Sequence, residues 1–272
     1  MTNTTNPLGK IKPKEIQQNC CRLCNGVLKS QFALTILRKY DIQYYKCDKC
    51  HSLQTETPYW LDEAYKQNLS YLDTGAAQRN INNFAASYGL SKLFNLKNVI
   101  DIAGGDGLLC RLLRDYEINC FVKDKYAQPT YAQGYTEPNF EIPDLVMAFE
   151  VIEHFANPMT DLDDLFHLSS KVLLMTTLVY TKEEKDWWYL VPESGQHIFF
   201  YSKESLELIA NKYNYTLIVS GGFIVFIKKE MFSPIKLKIT QLILKGRIRQ
   251  MIGILISFKP AQGIWKDHIA QK

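Results

Sequence analysis

Val99-Ile100-Asp101-Ile102-Ala103-Gly104-Gly105-Asp106-Gly107 runs as an apolar strand into an acid and then into a turn almost without side chains, before the helical stretch Leu108-Leu109-Cys110-Arg111-Leu112-Leu113-Arg114. A turn this bare lets backbone N–H groups and the N-terminus of the next helix come close to a nucleotide-like ligand. The stretch therefore reads as a cofactor site. Strand and helix patterns alternate from Val99 onward, which requires a mostly parallel, doubly wound α/β sheet with its ligand at the carboxyl ends of the strands. A dinucleotide fingerprint needs Gly-x-Gly-x-x-Gly directly after the strand, and glycines at 104, 105 and 107 do not keep that spacing.

Further along, Ile118-Asn119-Cys120-Phe121-Val122-Lys123-Asp124 is a second strand ending in an acid. Asp124 falls 17 residues beyond Gly107, where doubly wound nucleotide folds place a carboxylate that accepts two ribose hydroxyls. Residues 143–154, with the string Phe149-Glu150-Val151-Ile152-Glu153-His154, supply the strand across the switch point and the start of the next helix. Residues 171–178 form another buried strand. A helix over 203–213 capped by Ser202, and strands over 215–220 and 223–228, close the domain.

Asp101, Ala103, Gly105 and Gly107 resemble the Asp-x-Gly-x-Gly-x-Gly motif of class I S-adenosylmethionine (SAM) dependent methyltransferases, with Ala103 in place of the first glycine. The string 149–154 resembles the fourth-strand motif of the same superfamily. The resemblance implies a Rossmann-like sheet of seven strands, with SAM held by Asp101, Ala103, Gly104, Gly105, Gly107 and Asp124 and the pocket lined by Phe149 and Glu150.

The 272 residues, 46% hydrophobic with a net charge of +4, are enough for one core and a small appended module. No apolar run approaches the ~20 residues of a membrane span, and the first residues lack the apolar core of a signal peptide, so a cytoplasmic protein is expected. Seven cysteines then point to thiols or a metal rather than to disulfides. Cys21-Arg22-Leu23-Cys24 and Cys47-Asp48-Lys49-Cys50 are two Cys-x-x-Cys knuckles 22 residues apart. The separation is just beyond the ~15 to 20 residues usual in four-cysteine zinc ribbons, and with a hairpin between the knuckles a four-thiolate structural zinc is expected. Cys20 and His51 are adjacent alternatives to a ligand. The expected organisation is a zinc ribbon over 16–60, a helical connector over 61–96, the methyltransferase domain over 97–230 and a basic helical extension over 231–272.

Within the connector, Leu69 falls near the helical spacing of its apolar neighbours, and Tyr65, Tyr71 and Tyr88 are polar-tipped aromatics on half-buried faces. Residues 186–202 gather Trp187, Trp188, Tyr189, Pro192, Gly195 and His197 into one loop, the kind of segment that carries function on a rigid sheet. With the zinc-binding front end and the string His197-Ile198-Phe199-Phe200-Tyr201-Ser202, the whole chain resembles bacterial sugar methyltransferases with an N-terminal zinc module, some of which methylate carbon of nucleotide-linked deoxysugars. Those enzymes carry Tyr-Asp-Glu-His where this chain has Ser194-Gly195-Gln196-His197. Only the histidine is kept, so transfer to a sugar hydroxyl, which needs one base and good alignment, fits at least as well.

His197 is therefore the expected general base, with Trp187, Trp188 and Tyr189 available to stack on a sugar ring. His154 is its rival at the start of a helix, where protonation is disfavoured. The final stretch is basic and amphipathic, and such a helix lies on an anionic membrane surface, here through residues 231–260, or docks on its own protein. Two other readings are a non-catalytic binding module with a degenerate cofactor turn, and a nucleic-acid methyltransferase. The modest charge, and the absence of basic residues interleaved with aromatics near the pocket, count against nucleic acid.

Overall fold

The computed structural model describes residues 20–66, 74–182, 184–231 and 233–272. The expectations for residues 1–19, Leu69 and Tyr71 fall outside the described residues. In chain order the elements are β1 (Leu28–Ile36), β2 (Tyr40–Cys47), β3 (Leu53–Thr55), α1 (Leu61–Ala64), α2 (Ala76–Phe94), β4 (Asn98–Ile102), α3 (Leu108–Asp115), β5 (Asn119–Lys123) and β6 (Leu145–Phe149). They continue as α4 (Pro158–His167), β7 (Val172–Thr176), β8 (Phe199–Phe200), α5 (Lys203–Lys212), β9 (Tyr215–Ser220), β10 (Phe223–Lys228), α6 (Pro234–Leu244), α7 (Gly246–Ser257) and α8 (Gly263–Ala270). Two compact units are interleaved along the chain. One combines residues 20–66 with Ile152–Asp164 and Thr177–Ile209, and the other is built from Thr74–Val151, Leu165–Thr176 and Ala210–Lys272.

The larger unit holds a six-stranded sheet in the order β5-β4-β6-β7-β10-β9. β5, β4, β6 and β7 are parallel, and β10 runs antiparallel to both its neighbours. Alternate residues of each strand serve opposite faces. On one face Val99, Leu145, Leu174 and Val225 join a core with Leu90 of α2 and Leu109 and Leu113 of α3. On the other, Phe226 meets Phe166 of α4 at 5.2 Å, and Phe166 stacks on Tyr213 at 4.1 Å. A sheet buried on both faces explains why these strands read as unbroken apolar runs.

Six strands among the described residues replace the expected seven. The segment 124–144, between β5 and β6, contains only turns and bends. It carries Pro129, Pro138 and Pro143, each lacking the N–H that a ladder position requires.

The expected single C-terminal helix is three helices. Lys245, extended at φ −68° and ψ 134°, separates α6 from α7, and Pro260 follows the end of α7. Their inner residues Ile243, Leu244 and Ile256 enter the core of the larger unit. Asp267 of α8 receives Arg111 and Arg114 of α3 at 2.7 Å each. Among the described residues no helix is long and apolar enough to cross a membrane.

The smaller unit is built on the antiparallel sheet β1-β2-β3-β8. Its fourth strand comes from far along the chain, with Leu53 opposite Phe200 and Gln54 opposite Phe199. Ile36, Ile42, Tyr44, Leu53, Trp60, Leu190 and Phe200 form its core.

Candidate functional site

In the larger unit the sheet order reverses direction at β4, since β5 lies on one side of it and β6 on the other. Loops leaving adjacent strands there diverge and open a crevice, the usual ligand position of such sheets. The glycine turn leaves β4 at that point, and Phe149 and Glu150 leave β6. Two residues other than glycine are held at positive φ beside it, Ala103 at 54° and Glu150 at 55°. Backbone strain of this kind concentrates where a ligand must be met.

The turn is built to stay bare. A Cβ on Gly104 would lie 2.5 Å from Asp101 Oδ2, and one on Gly107, at φ +79°, would lie 2.8 Å from Ala132 Cβ. Asp106, just before the N-cap residue Gly107, accepts the N–H of Leu108 at the start of α3 at 3.1 Å. Asp124 takes the Gly105 N–H on Oδ2 at 2.9 Å and the N–H groups of Tyr126 and Ala127 on Oδ1 at 2.7 and 2.8 Å. It thereby clamps the turn to the end of β5, while its carboxylate retains further acceptor capacity.

Asp101 is buried at the carboxyl end of β4, and desolvation, followed by the charge of Asp124, raises its pKa to about 8. Unfolding frees a carboxyl of ordinary pKa near 3.9, so the unfolded state binds fewer protons between about pH 4 and 8 and stability falls across that window. Asp101→Asn removes this penalty. The variant is expected to melt with the parent at pH 4 and on the order of 5 °C above it at pH 8. A Tm difference that does not change with pH would show that Asp101 is ionised in the fold.

In the smaller unit, four cysteines converge. Cys21 Sγ lies 3.7 Å from Cys50 Sγ, and Cys24 Sγ 3.5 Å from Cys47 Sγ. Four sulfurs around one tetrahedral ion at about 2.3 Å would stand roughly 3.7 Å apart, so the set fits zinc in spacing and donor type. Burial first of all pushes the Cys24 thiol up to about 12, a cost that a metal removes by taking the thiolate. Cys20 and His51 are exposed and outside this cluster.

Arg22, between two of these cysteines, sends its guanidinium to the carbonyls of Ile198 at 2.6 Å, Ala156 at 3.2 Å and Thr55 at 3.3 Å. Ser202 Oγ donates to the carbonyl of Cys50. The cysteine knuckles are thus tied directly to the segment that carries His197.

His154 and His197, 43 residues apart in the chain, meet edge to face with ring centroids 5.0 Å apart. His197 Nδ1 lies 2.7 Å from the carbonyl oxygen of Tyr189. A carbonyl only accepts, so Nδ1 carries a proton, and in the neutral imidazole the lone pair is then on Nε2. The Tyr189 hydroxyl donates to Glu153 Oε1 at 2.6 Å, with Thr177 Oγ1 at 3.2 Å behind it. His154 is half-buried with Nδ1 3.1 Å from Tyr65 Oη. Protein packed around most of its ring, and then His197, lower its pKa to about 3. Its neutrality at pH 7 therefore comes from desolvation rather than from the helix end invoked above.

The stacking expectation is corrected for two aromatics: Tyr189 is buried against His197, and Trp187 packs on Tyr180, Tyr189 and Phe200. Trp188 stands 72% exposed. Gln196 donates its amide to the Ala64 carbonyl at 2.9 Å. Glu153 and Arg22 were not singled out from the sequence. The only signal for Glu153 was its place in the 149–154 string, and nothing local marked Arg22.

Residues 63–220 match the family model described as a methyltransferase domain. Among solved structures, the plantazolicin methyltransferase BpumL in complex with SAH is 12% identical, with 71% of this chain and 88% of that one covered at a TM-score of 0.48. Magnesium protoporphyrin IX methyltransferase from Synechocystis PCC 6803 with bound SAH is 12% identical, covering 63% and 96% at 0.44. The methyltransferase domain of bacterial CtHen1 is 17% identical, covering 55% and 98% at 0.40. No curated protein matches the sequence.

Proposed function

Because the chain belongs to the methyltransferase-domain family, we propose that it transfers the methyl group of S-adenosylmethionine to a hydroxyl of a carbohydrate, free, nucleotide-linked or part of a glycan precursor. SAM supplies a methyl carbon on a sulfonium, whose S–C bond breaks as the new O–C bond forms and leaves a neutral thioether. Ala103, Gly104, Gly105 and Gly107 offer it bare backbone. Asp124 offers the ribose its remaining lone pairs, and Asp101, Phe149 and Glu150 border the crevice.

The observation that carries the acceptor side is the orientation of His197. With Nδ1–H on the Tyr189 carbonyl, Nε2 of the neutral ring is the nitrogen that would take the proton from the hydroxyl. Gln196 favours oxygen over carbon as the acceptor, because an amide bonded to the Ala64 carbonyl does no acid–base work. Trp188 offers an exposed flat face to a sugar ring. In this reading Cys21, Cys24, Cys47 and Cys50 hold a structural zinc.

Mass spectrometry of protein incubated with SAM and a panel of free and nucleotide-linked sugars should find one that gains a single methyl group. By calorimetry Asp124→Ala should weaken SAM binding at least tenfold. SAM turnover confined to RNA or protein acceptors would refute the carbohydrate reading, and absence of SAM binding would favour a non-catalytic module.

We also propose that the C-terminal helices touch anionic membrane surfaces. Ile235, Met251, Ile254, Leu255 and Phe258 are 56–80% exposed, and they stand among Lys236, Lys238, Lys245, Arg247 and Lys259 with no acid from Met231 to Lys266. Exposed apolar side chains ringed by lysine suit an anionic interface. Co-sedimentation with phosphatidylglycerol vesicles, absent with phosphatidylcholine and lost in Phe258→Glu, is the expected result. Equal sedimentation of parent and variant would refute it.

A further inference from the structure

Besides the four cysteines, the smaller unit contains a second convergence of metal-type donors. One carboxylate oxygen of Glu153 and one ring nitrogen each of His154 and His197 all lie within 4.8 Å of one another. We propose that Glu153, His154 and His197 hold a divalent first-row transition-metal ion. Two imidazoles and one carboxylate are the donor set by which open-sided sites bind such ions, whereas four thiolates close a site.

The ring geometry agrees. An imidazole bound through Nε2 places its centroid about 3.2 Å from an ion. Two centroids 5.0 Å apart then subtend an angle at that ion of about 100°, between octahedral and tetrahedral values. The outer hydrogen bonds agree too. Ligating imidazoles ordinarily give their other N–H to a carbonyl or carboxylate, and ligating carboxylates are themselves held. Here Tyr189 does both, its carbonyl 2.7 Å from His197 Nδ1 and its hydroxyl 2.6 Å from Glu153 Oε1. Tyr65 Oη stands at His154 Nδ1, so Nδ1 has a partner on each ring, and the assignment takes Nε2 as the ligand atom.

Three protein donors leave positions for the oxygens of a ligand. On the proposed methyl transfer, with which this assignment would combine, the natural occupant is the acceptor hydroxyl with a neighbouring oxygen. A metal-bound hydroxyl is more acidic. Held by Glu153, His154 and His197, such an ion would make the hydroxyl more acidic in place of His197 acting as base, and the proton would pass to solvent as the O–C bond forms and the S–C bond breaks. His197 is in that case a ligand.

Mn2+ is the probe, because a hard ion avoids the cysteine cluster. The full chain is equilibrated with Mn2+ alone, and bound metal is counted by electron paramagnetic resonance and elemental analysis, with circular dichroism to confirm folding. One Mn2+ per chain is expected, beyond any zinc in the cysteine cluster. Binding should be abolished in His154→Ala and His197→Ala, and Glu153→Gln, an isosteric change, should weaken it about 100-fold. Tyr189→Phe, which removes the hydroxyl held between Glu153 and Thr177 but keeps the carbonyl at His197, should weaken it about tenfold. Absence of Mn2+ binding by the parent, or unchanged binding in folded His154→Ala and His197→Ala, overturns the assignment and leaves His197 as the base. The count uses neither SAM nor a sugar, so failure of the carbohydrate reading would leave it standing.

Discussion

His197→Ala is expected to lower kcat by a factor of about 10² or more while SAM affinity stays near that of the parent. The side chain is only part-buried, and its Nδ1 hydrogen bond goes to a backbone carbonyl. The fold should therefore survive the truncation, and the loss should fall on the chemical step. The proposed cofactor contacts belong to other segments, the ends of β4 and β6 and the turns after β4, β5 and β6. The measurement is steady-state turnover beside calorimetric SAM binding. Near-normal turnover in folded His197→Ala, with collapse confined to His154→Ala, would remove His197 from the chemical step both as base and as metal ligand.

Cys47→Ser is expected to have the largest effect on stability. Cys47 is fully buried, receives the N–H groups of Lys49 and Cys50 at 3.3 and 3.5 Å, and pairs with Cys24. Without one thiolate the site loses much of an affinity that, for structural zinc, is on the order of 10 kcal/mol. Tm should fall by at least about 10 °C and zinc content should drop toward zero. Turnover should also fall, because Arg22 can no longer hold the Ile198 carbonyl beside His197. A variant that keeps its Tm and its activity while losing zinc would make the metal dispensable. Chelation of the parent should reproduce the substitution.

Signals confined to a few neighbouring residues were the legible ones. The glycine turn, the apolar strands from β4 onward and both cysteine knuckles are written within spans of ten residues or fewer, and each appears where its pattern placed it. The missing seventh strand was legible in principle, since the prolines of segment 124–144 deny it a ladder. Pairings across long stretches of chain were not legible. Nothing in Leu53-Gln54-Thr55 says that its partner is Phe199-Phe200, and nothing in Arg22 names the carbonyl of Ile198, 176 positions away. The contact between Tyr189 and Glu153 belongs to the same class. Hydrophobic periodicity fixes which side of an element is buried but not what lies against it.

The order in which the chain leaves the ribosome sets a further condition on this molecule. β1, β2 and β3 emerge early, yet β8, which closes the open edge of β3, follows β3 by more than 140 residues. At bacterial or eukaryotic synthesis rates of about 5 to 20 residues per second, that edge waits on the order of ten seconds for its partner. Unpaired strand edges recruit other chains. Both knuckles, by contrast, are complete once Cys50 is out, so early metal capture could hold the nascent hairpin while the rest is made. Expression in metal-depleted cells should therefore lower soluble yield more than chelation lowers the solubility of finished protein.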